Sequence, residues 1–382
     1  MDTIKINSFQ LFVLVFLFEM GSSIVVGIAS GLKQDAWIAV LLGMAGGLLL
    51  FLVYHRLFSY YPDLPLTGYV QKITGKFIGS ILGFLYIVYF LYCASRVMRD
   101  IGELLTTTIY TNTPLFILNA LMVLTVIYAI HKGLEVLARV GELLFMMVYL
   151  MAIVGFLLVL FSGLLHLENL KPILENGIMP VIKKTLGETI TFPFGEMIIF
   201  TMILPNLNEP KKAKLVCLSG IILSGINIII TTIINIAALG TDLIIRSPFP
   251  LLSTISKIDL MNFIERLDVF FMLYLVIGGF FKITLYFYAA VLGATELFKF
   301  KNTSKLTFPI GLIVLFASLT IASNYAEHIK EGLKIVPIYL HWPFQIIIPM
   351  MLLVIAFFRN RKKKQKTTND QTTKSEISST NQ

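Results

Sequence analysis

Phe192-Pro193-Phe194-Gly195-Glu196 interrupts an apolar stretch otherwise long enough to cross a bilayer, and the meaning of that interruption decides the fold. Proline removes a backbone donor and crowds the preceding turn, and glycine weakens the helix further. In hydrocarbon a freed backbone group costs several kcal/mol unless a neighbour, water or ligand satisfies it. A counterpart stands in the first apolar run, where Glu19 precedes Gly21-Ser22-Ser23 and then Gly27. Paired interruptions in corresponding spans of two halves point to a midplane binding site in an inverted-repeat fold. Each interruption taken alone reads equally as a kink, or as small residues for close helix packing.

The rest of the chain supplies the two halves. Of 382 residues, 57% are hydrophobic and only 14% charged, against about 25% charged in ordinary soluble domains. Apolar runs of about 18 or more residues recur, each long enough to span a membrane. The composition excludes soluble enzymes, DNA-binding proteins and secreted disulfide scaffolds. Ten spans are expected, at 9–30, 36–58, 78–109, 114–131, 138–163, 188–206, 215–240, 267–298, 307–324 and 337–358. They define an all-α polytopic domain over 1–358, with one repeat at about 9–163 and the other at about 188–358. Thr241–Arg266 reads as an extracellular loop carrying a short helix over Leu251–Ile258. The tail, 359–382, opens with six basic residues in Arg359–Lys366 and turns Ser/Thr/Asn/Gln-rich, so it is expected to be disordered.

A net charge of +9 is compatible with nucleic acid, but its placement favours lipid headgroups, and no nucleic-acid partner is expected. With the N-terminus inside, nineteen Lys and Arg fall in inside segments and nine in outside ones, which sets both termini in the cytoplasm. Two cysteines, Cys93 and Cys217, and five dispersed histidines match no metal-ligand spacing. No catalytic motif is present. No enzyme activity, metal or cofactor is expected.

Ionisable residues inside spans cost at least about 2.5–3.5 kcal/mol at the bilayer centre and normally face a cavity or a partner. Glu19 lies in the first span, Arg96, Arg99, Asp100 and Glu103 in the third, Glu196 in the sixth and Lys282 in the eighth. Arg96 with Asp100, and Arg99 with Glu103, have the i,i+4 spacing of helix ion pairs. One reading is a polar centre in which Lys282 balances one or more carboxylates; the other is that the third-span charges pair within their own helix and only pin packing.

At these residues the chain resembles a known family. Phe192–Met197 leading to Leu204-Pro205-Asn206-Leu207-Asn208 is similar to the sixth span of the bacterial spore germination receptor B subunits. So are Asn169-Leu170-Lys171-Pro172-Ile173-Leu174 with Gly177, the entry to the eighth span at Asn262–Asp268, and Tyr61-Pro62 through Gly75-Lys76 and Gly79. The family is a branch of the amino acid–polyamine–organocation superfamily, so the resemblance implies the ten-helix fold of the bacterial leucine transporter, with helices 1 and 6 broken. It also implies a germinant-sensing subunit in the spore inner membrane, working with an A subunit and a lipoprotein C subunit. The superfamily's ligand positions fall on Gly21, Ser22, Ser23, Phe194, Gly195 and Glu196. Third- and eighth-span contacts are expected at Glu103 and Thr284, with Glu19, Arg99 and Lys282 as a charge network. The membrane charges depart from sodium-coupled carriers, and no bound sodium is expected because a fixed ammonium can replace the metal.

Three functions fit this pattern. The first is a receptor subunit binding a small nutrient, an amino acid by expectation. The second is an amino-acid permease coupled to protons through Glu196 or Glu103. The third is a structural subunit whose breaks hold no ligand.

Overall fold

A computed structural model describes residues 5–258 and 267–361. The described residues form helices joined by turns and short loops, with one isolated parallel bridge between Ile6 and Leu207. Helix α1 (Ser8–Met20) starts with a capping box: the Asn7 side chain accepts from the Gln10 amide at 2.8 Å, and Gln10 returns the bond to the Asn7 amide at 3.0 Å. Leu11 and every residue from Val13 to Met20 are buried, so α1 is enclosed on all sides, the mark of a core helix.

The other long helices are α2 (Ala36–Tyr60), α4 (Lys76–Thr108), α5 (Leu115–Lys132), α6 (Leu134–Phe161), α8 (Ala213–Arg246) and α10 (Leu267–Leu297). With the C-terminal helix Pro337–Arg361 they make, among the described residues, seven helices long and apolar enough to cross a membrane. An eighth candidate is α11 (Ser304–Thr320) followed by α12 and the next turns (Tyr325–Ile335), bent by 102° at the join. The expected ninth span thus ends in an elbow. The expected first and sixth spans are not single helices. The first stops at Met20 and resumes as a 3₁₀ turn at Ser22–Ile24. The sixth is assembled from α7 (Ile178–Lys184), a wide turn at Thr185–Thr189 and a 3₁₀ helix at Phe194–Met202.

Burial sorts the bundle into a centre and a periphery. The apolar window of α10 is 78% buried, whereas those of α5 and α6 are 17% buried. α10 packs along α4 and against α1, while α5 leans on α11. On α6, Leu143, Met146 and Leu150 stand exposed, an apolar belt suited to a lipid environment.

Short connections carry the family-like motifs, and each has a local reason. Gly75 (φ +91°) ends α3 (Leu66–Thr74), and a Cβ on Gly79 would fall 2.3 Å from Gln71 Cα, so α3 and α4 touch backbone to backbone there. Asn169 donates to the Ala237 carbonyl at 2.9 Å, which the kink at Gly240 in α8 exposes. Asn206 O accepts from the Ile6 amide at 2.8 Å, and the Asn208 amide returns a bond to Ile6 O at 2.9 Å. A short helix, α9 (Pro250–Ile255), lies within the expected loop. The motif Asn262–Asp268 falls mostly outside the described residues, as does the tail from 362 onward. Arg359 is helical, and its guanidinium closes the end of α3 by donating to Lys72 O at 2.7 Å and Ile73 O at 3.1 Å.

Candidate ligand site at the broken helices

The two breaks meet at the centre of the bundle. Gly21 has backbone angles outside the helical region (φ −21°, ψ −110°), and α10 lies directly against it. A Cβ on Gly21 would sit 2.7 Å from Lys282 Cδ and 2.8 Å from Lys282 Cβ, and a Cβ on Gly278 would sit 3.2 Å from Gly21 Cα. The stem of Lys282 therefore fills the space that glycine leaves. Ser23 Oγ donates to the Glu19 carbonyl at 2.6 Å, one backbone oxygen accounted for at the break. On the other side, Tyr54 OH donates to Gly195 O at 3.2 Å and to Gln345 O at 2.6 Å. Gly43, Gly46 and Gly47 of α2 make room for this second break: an added Cβ would meet Thr189, Ile190 and Phe194 at 2.2–2.6 Å.

Lys282 and Glu196 form a wholly buried ion pair, Nζ to Oε2 2.5 Å, with side chains 0% and 4% exposed. Glu196 sits in the first turn of its 3₁₀ helix, where a carboxylate is favoured by the unpaired amides. The ammonium also lies over the rings of Phe192 (4.8 Å) and Phe18 (5.1 Å). Glu19 is fully buried close by, and neither carboxyl oxygen has a hydrogen-bond partner among the described residues. Ser22 Oγ is likewise buried without a partner among them.

Next to this pair is a cavity of about 40 Å³. Ser22, Cys93, Arg96, Asp100, Glu196 and His341 supply its polar lining, and side chains such as Val26, Phe192 and Leu333 the rest. Concavity, mixed chemistry and a few convergent polar groups are what a small-ligand site requires. A larger apolar crevice of about 210 Å³ between α6, α8, α9 and α10 has no charged residue among its described lining, and it lies away from both breaks.

Of the residues expected at the site, the cavity gathers Ser22 and Glu196; Gly21, Ser23, Glu19, Phe194, Gly195 and Lys282 form the breaks around it. Glu103 and Thr284 lie elsewhere. Thr284 Oγ1 turns back onto its own helix, donating to Phe280 O at 2.6 Å. Arg99 binds Glu103 at 2.7 Å as spaced, and also reaches Leu319 O at 3.1 Å, capping the end of α11. The other third-span pairing is not made: Asp100 Oδ1 meets His328 Nε2 at 2.9 Å, and Arg96 donates to Tyr92 OH at 3.2 Å and to His328 O. The i,i+4 spacing loses here because α12 offers both groups a partner from outside their helix. His328, His341 and Gln345 are the central residues that sequence reasoning missed. Gln345 Nε2 donates to Tyr89 OH at 2.7 Å, which meets His341 Nδ1 at 2.9 Å. The clue available was that polar residues persist in the last span.

Known proteins share both the sequence pattern and this arrangement of helices. The profile of the family described as "Spore germination protein" matches residues 5–326. Spore germination protein KB of Bacillus subtilis (strain 168) is 46% identical over 350 residues, covering 92% of this chain and 94% of its own. Spore germination protein A2 of the same strain is 26% identical, covering 80% and 85%. Among solved structures, MhsT in complex with L-phenylalanine aligns with TM-score 0.59 at 12% identity, over 91% of this chain and 84% of that one. Mhp1, a nucleobase-cation-symport-1 family transporter closed around bromovinylhydantoin, aligns at 0.58 and 12%, over 86% and 75%. The likeness to these transporters is one of fold.

Proposed function

The chain belongs to the spore germination protein family, and on that premise we propose that it is the nutrient-sensing membrane subunit of a spore germination receptor. A small nutrient, an amino acid in this reading, occupies the cavity between the broken spans and makes one arrangement of the bundle more stable than another. That difference in affinity is what partner subunits, of the A and C types, register. The observation that carries the reading is Ser22 Oγ, a buried hydroxyl without a partner among the described residues, at the wall of a small cavity beside the Lys282–Glu196 pair. Buried polar groups are nearly always satisfied, so a hydroxyl left over at a cavity wall is open to a ligand that enters the cavity.

The free volume is small in this arrangement, so the nutrient-bound state must be wider. Ligand binding is then coupled to movement, as a sensor needs. In the proposed orientation both termini face the cytoplasm of the spore, with the inner membrane around the bundle and lipid headgroups against the basic tail.

Binding of nutrients to purified protein tests the proposal. Amino acids and sugars are titrated against wild type and Ser22→Ala, a change that removes only the hydroxyl. Saturable binding weakened in Ser22→Ala is expected; no binding of any nutrient by wild type would defeat the reading. A proton-coupled amino-acid permease is the second reading, favoured by the Glu19 carboxyl, which has no partner among the described residues of the core. Sustained substrate accumulation in reconstituted vesicles would select it, and binding without turnover the receptor.

A further inference from the structure

We infer that Arg96 is the group in the central cavity that recognises a ligand carboxylate, so that the nutrient's acid end docks on α4 rather than on the amides of the breaks. The inference rests on the reading that this cavity binds the nutrient, and it names the residue and the ligand chemistry. Three basic side chains lie within the spans near the centre. Lys282 is ion-paired with Glu196 at 2.5 Å, and Arg99 with Glu103 at 2.7 Å; neither lines the cavity. Arg96 lines it and is the only Lys or Arg among its described lining residues.

Its nearest carboxylate is Glu331, at 4.0 Å and one-third exposed, beyond hydrogen-bond reach. Tyr92 OH and the His328 carbonyl take two of its five N–H groups, leaving the rest of a planar donor fork without a protein acceptor among the described residues. A buried guanidinium in that condition is matched by a bidentate anion. Gly332 is what lets the fork lie there: a Cβ at that position would fall 2.3 Å from Arg96 Nη2.

The opposite charge is placed to complete a zwitterion's recognition. Asp100 is one turn along α4, about 6 Å away by helical rise, and lines the same wall. His328 keeps the two from neutralising each other, holding Asp100 with its ring and Arg96 with its carbonyl. Val26, Val97, Ile329 and Leu333 then face whatever projects between the two charged ends, which suits a small apolar side chain. The wall made by Ile329, Gly332 and Leu333 belongs to the arm beyond the 102° elbow, so a carboxylate competing for Arg96 also loosens that arm's hold on α4.

The test compares each L-amino acid with its C-terminal carboxamide, by binding to the purified full-length protein. Wild type should bind the acid form about 10- to 100-fold more tightly, the range for a charge-assisted pair. Arg96→Gln should erase that ratio by weakening the acid and sparing the amide, and Arg96→Lys should keep an acid preference at reduced affinity. Glu331→Gln should leave the ratio unchanged. A merely structural role for Arg96 would weaken acid and amide alike, keep the ratio, and overturn the inference. Equal binding of acid and amide by wild type overturns it as well, even where Arg96→Gln does not fold. Failure of wild type to bind any nutrient is instead the failure of the receptor reading itself.

Discussion

Replacing Lys282 by methionine keeps the length of the stem that fills the space beside Gly21 and deletes the ammonium that Glu196 meets at 2.5 Å. Both partners are buried, so solvent cannot take over the abandoned charge. Removing one member of such a pair typically costs about 3–5 kcal/mol, because the remaining ion is left uncompensated. Glu196→Gln alone should cost less than Lys282→Met, since an amide still accepts from the ammonium. Lys282→Met with Glu196→Gln removes both charges, and the double variant should recover most of what Lys282→Met loses. The assay is the thermal unfolding midpoint of the purified protein at a fixed scan rate, arranged as a double-mutant cycle. Neighbours in contact couple by about 0.5–3 kcal/mol, whereas independent sites add within about 0.5 kcal/mol. Strict additivity here would falsify the claim that this pair holds the two breaks together.

Three further predictions use the same chemistry. Gly21→Ala should destabilise by about 1–3 kcal/mol through overpacking against the Lys282 stem, and Lys282→Ala in the same chain should relieve part of that loss; a fully stable Gly21→Ala single variant refutes the contact. Gly195→Leu should abolish accumulation of folded protein, because even its Cβ would fall 2.3 Å from Gln345 Oε1 and 2.9 Å from Ile190 O; normal expression with unchanged melting rejects this packing. At the surface, a hydrogen bond from Lys212 at 2.8 Å holds the exposed Glu209 carboxyl below its ordinary value. Its small contribution is therefore present above the ordinary carboxylate pKa and fades as pH falls through the lowered one. Glu209→Gln should lower the melting midpoint slightly at neutral pH and make no difference once the pH is below the lowered value, so that the acid limb is flattened, as a melting series across pH reads directly.

The breaks were legible because proline and glycine act locally: Pro193, Gly195 and Gly21 disrupt a helix wherever they stand. The expected span positions overlap helices or helix fragments for the same reason, that a bilayer demands length and apolarity segment by segment. The ninth position became the elbow, since nothing at Ile321–Asn324 announces a turn as strongly as proline does. Side-chain partners were harder. Spacing suits both third-span pairs, and only Arg99–Glu103 forms, because whether a neighbour helix intrudes is a tertiary fact. Thr284 and Glu103 share spans with the centre but not the face that meets it. Gly195 reads in sequence as a ligand position, whereas its surroundings show a residue with no room for a side chain at all.

The cation beside the first break is the end of a side chain, attached to α10 by four methylenes. A metal ion in that place can arrive from one bath and depart to another, and its concentration difference can drive a cycle. A tethered ammonium has no such reservoir. It stays with the chain through every encounter, and so it holds the bundle together without drawing on a gradient of that metal.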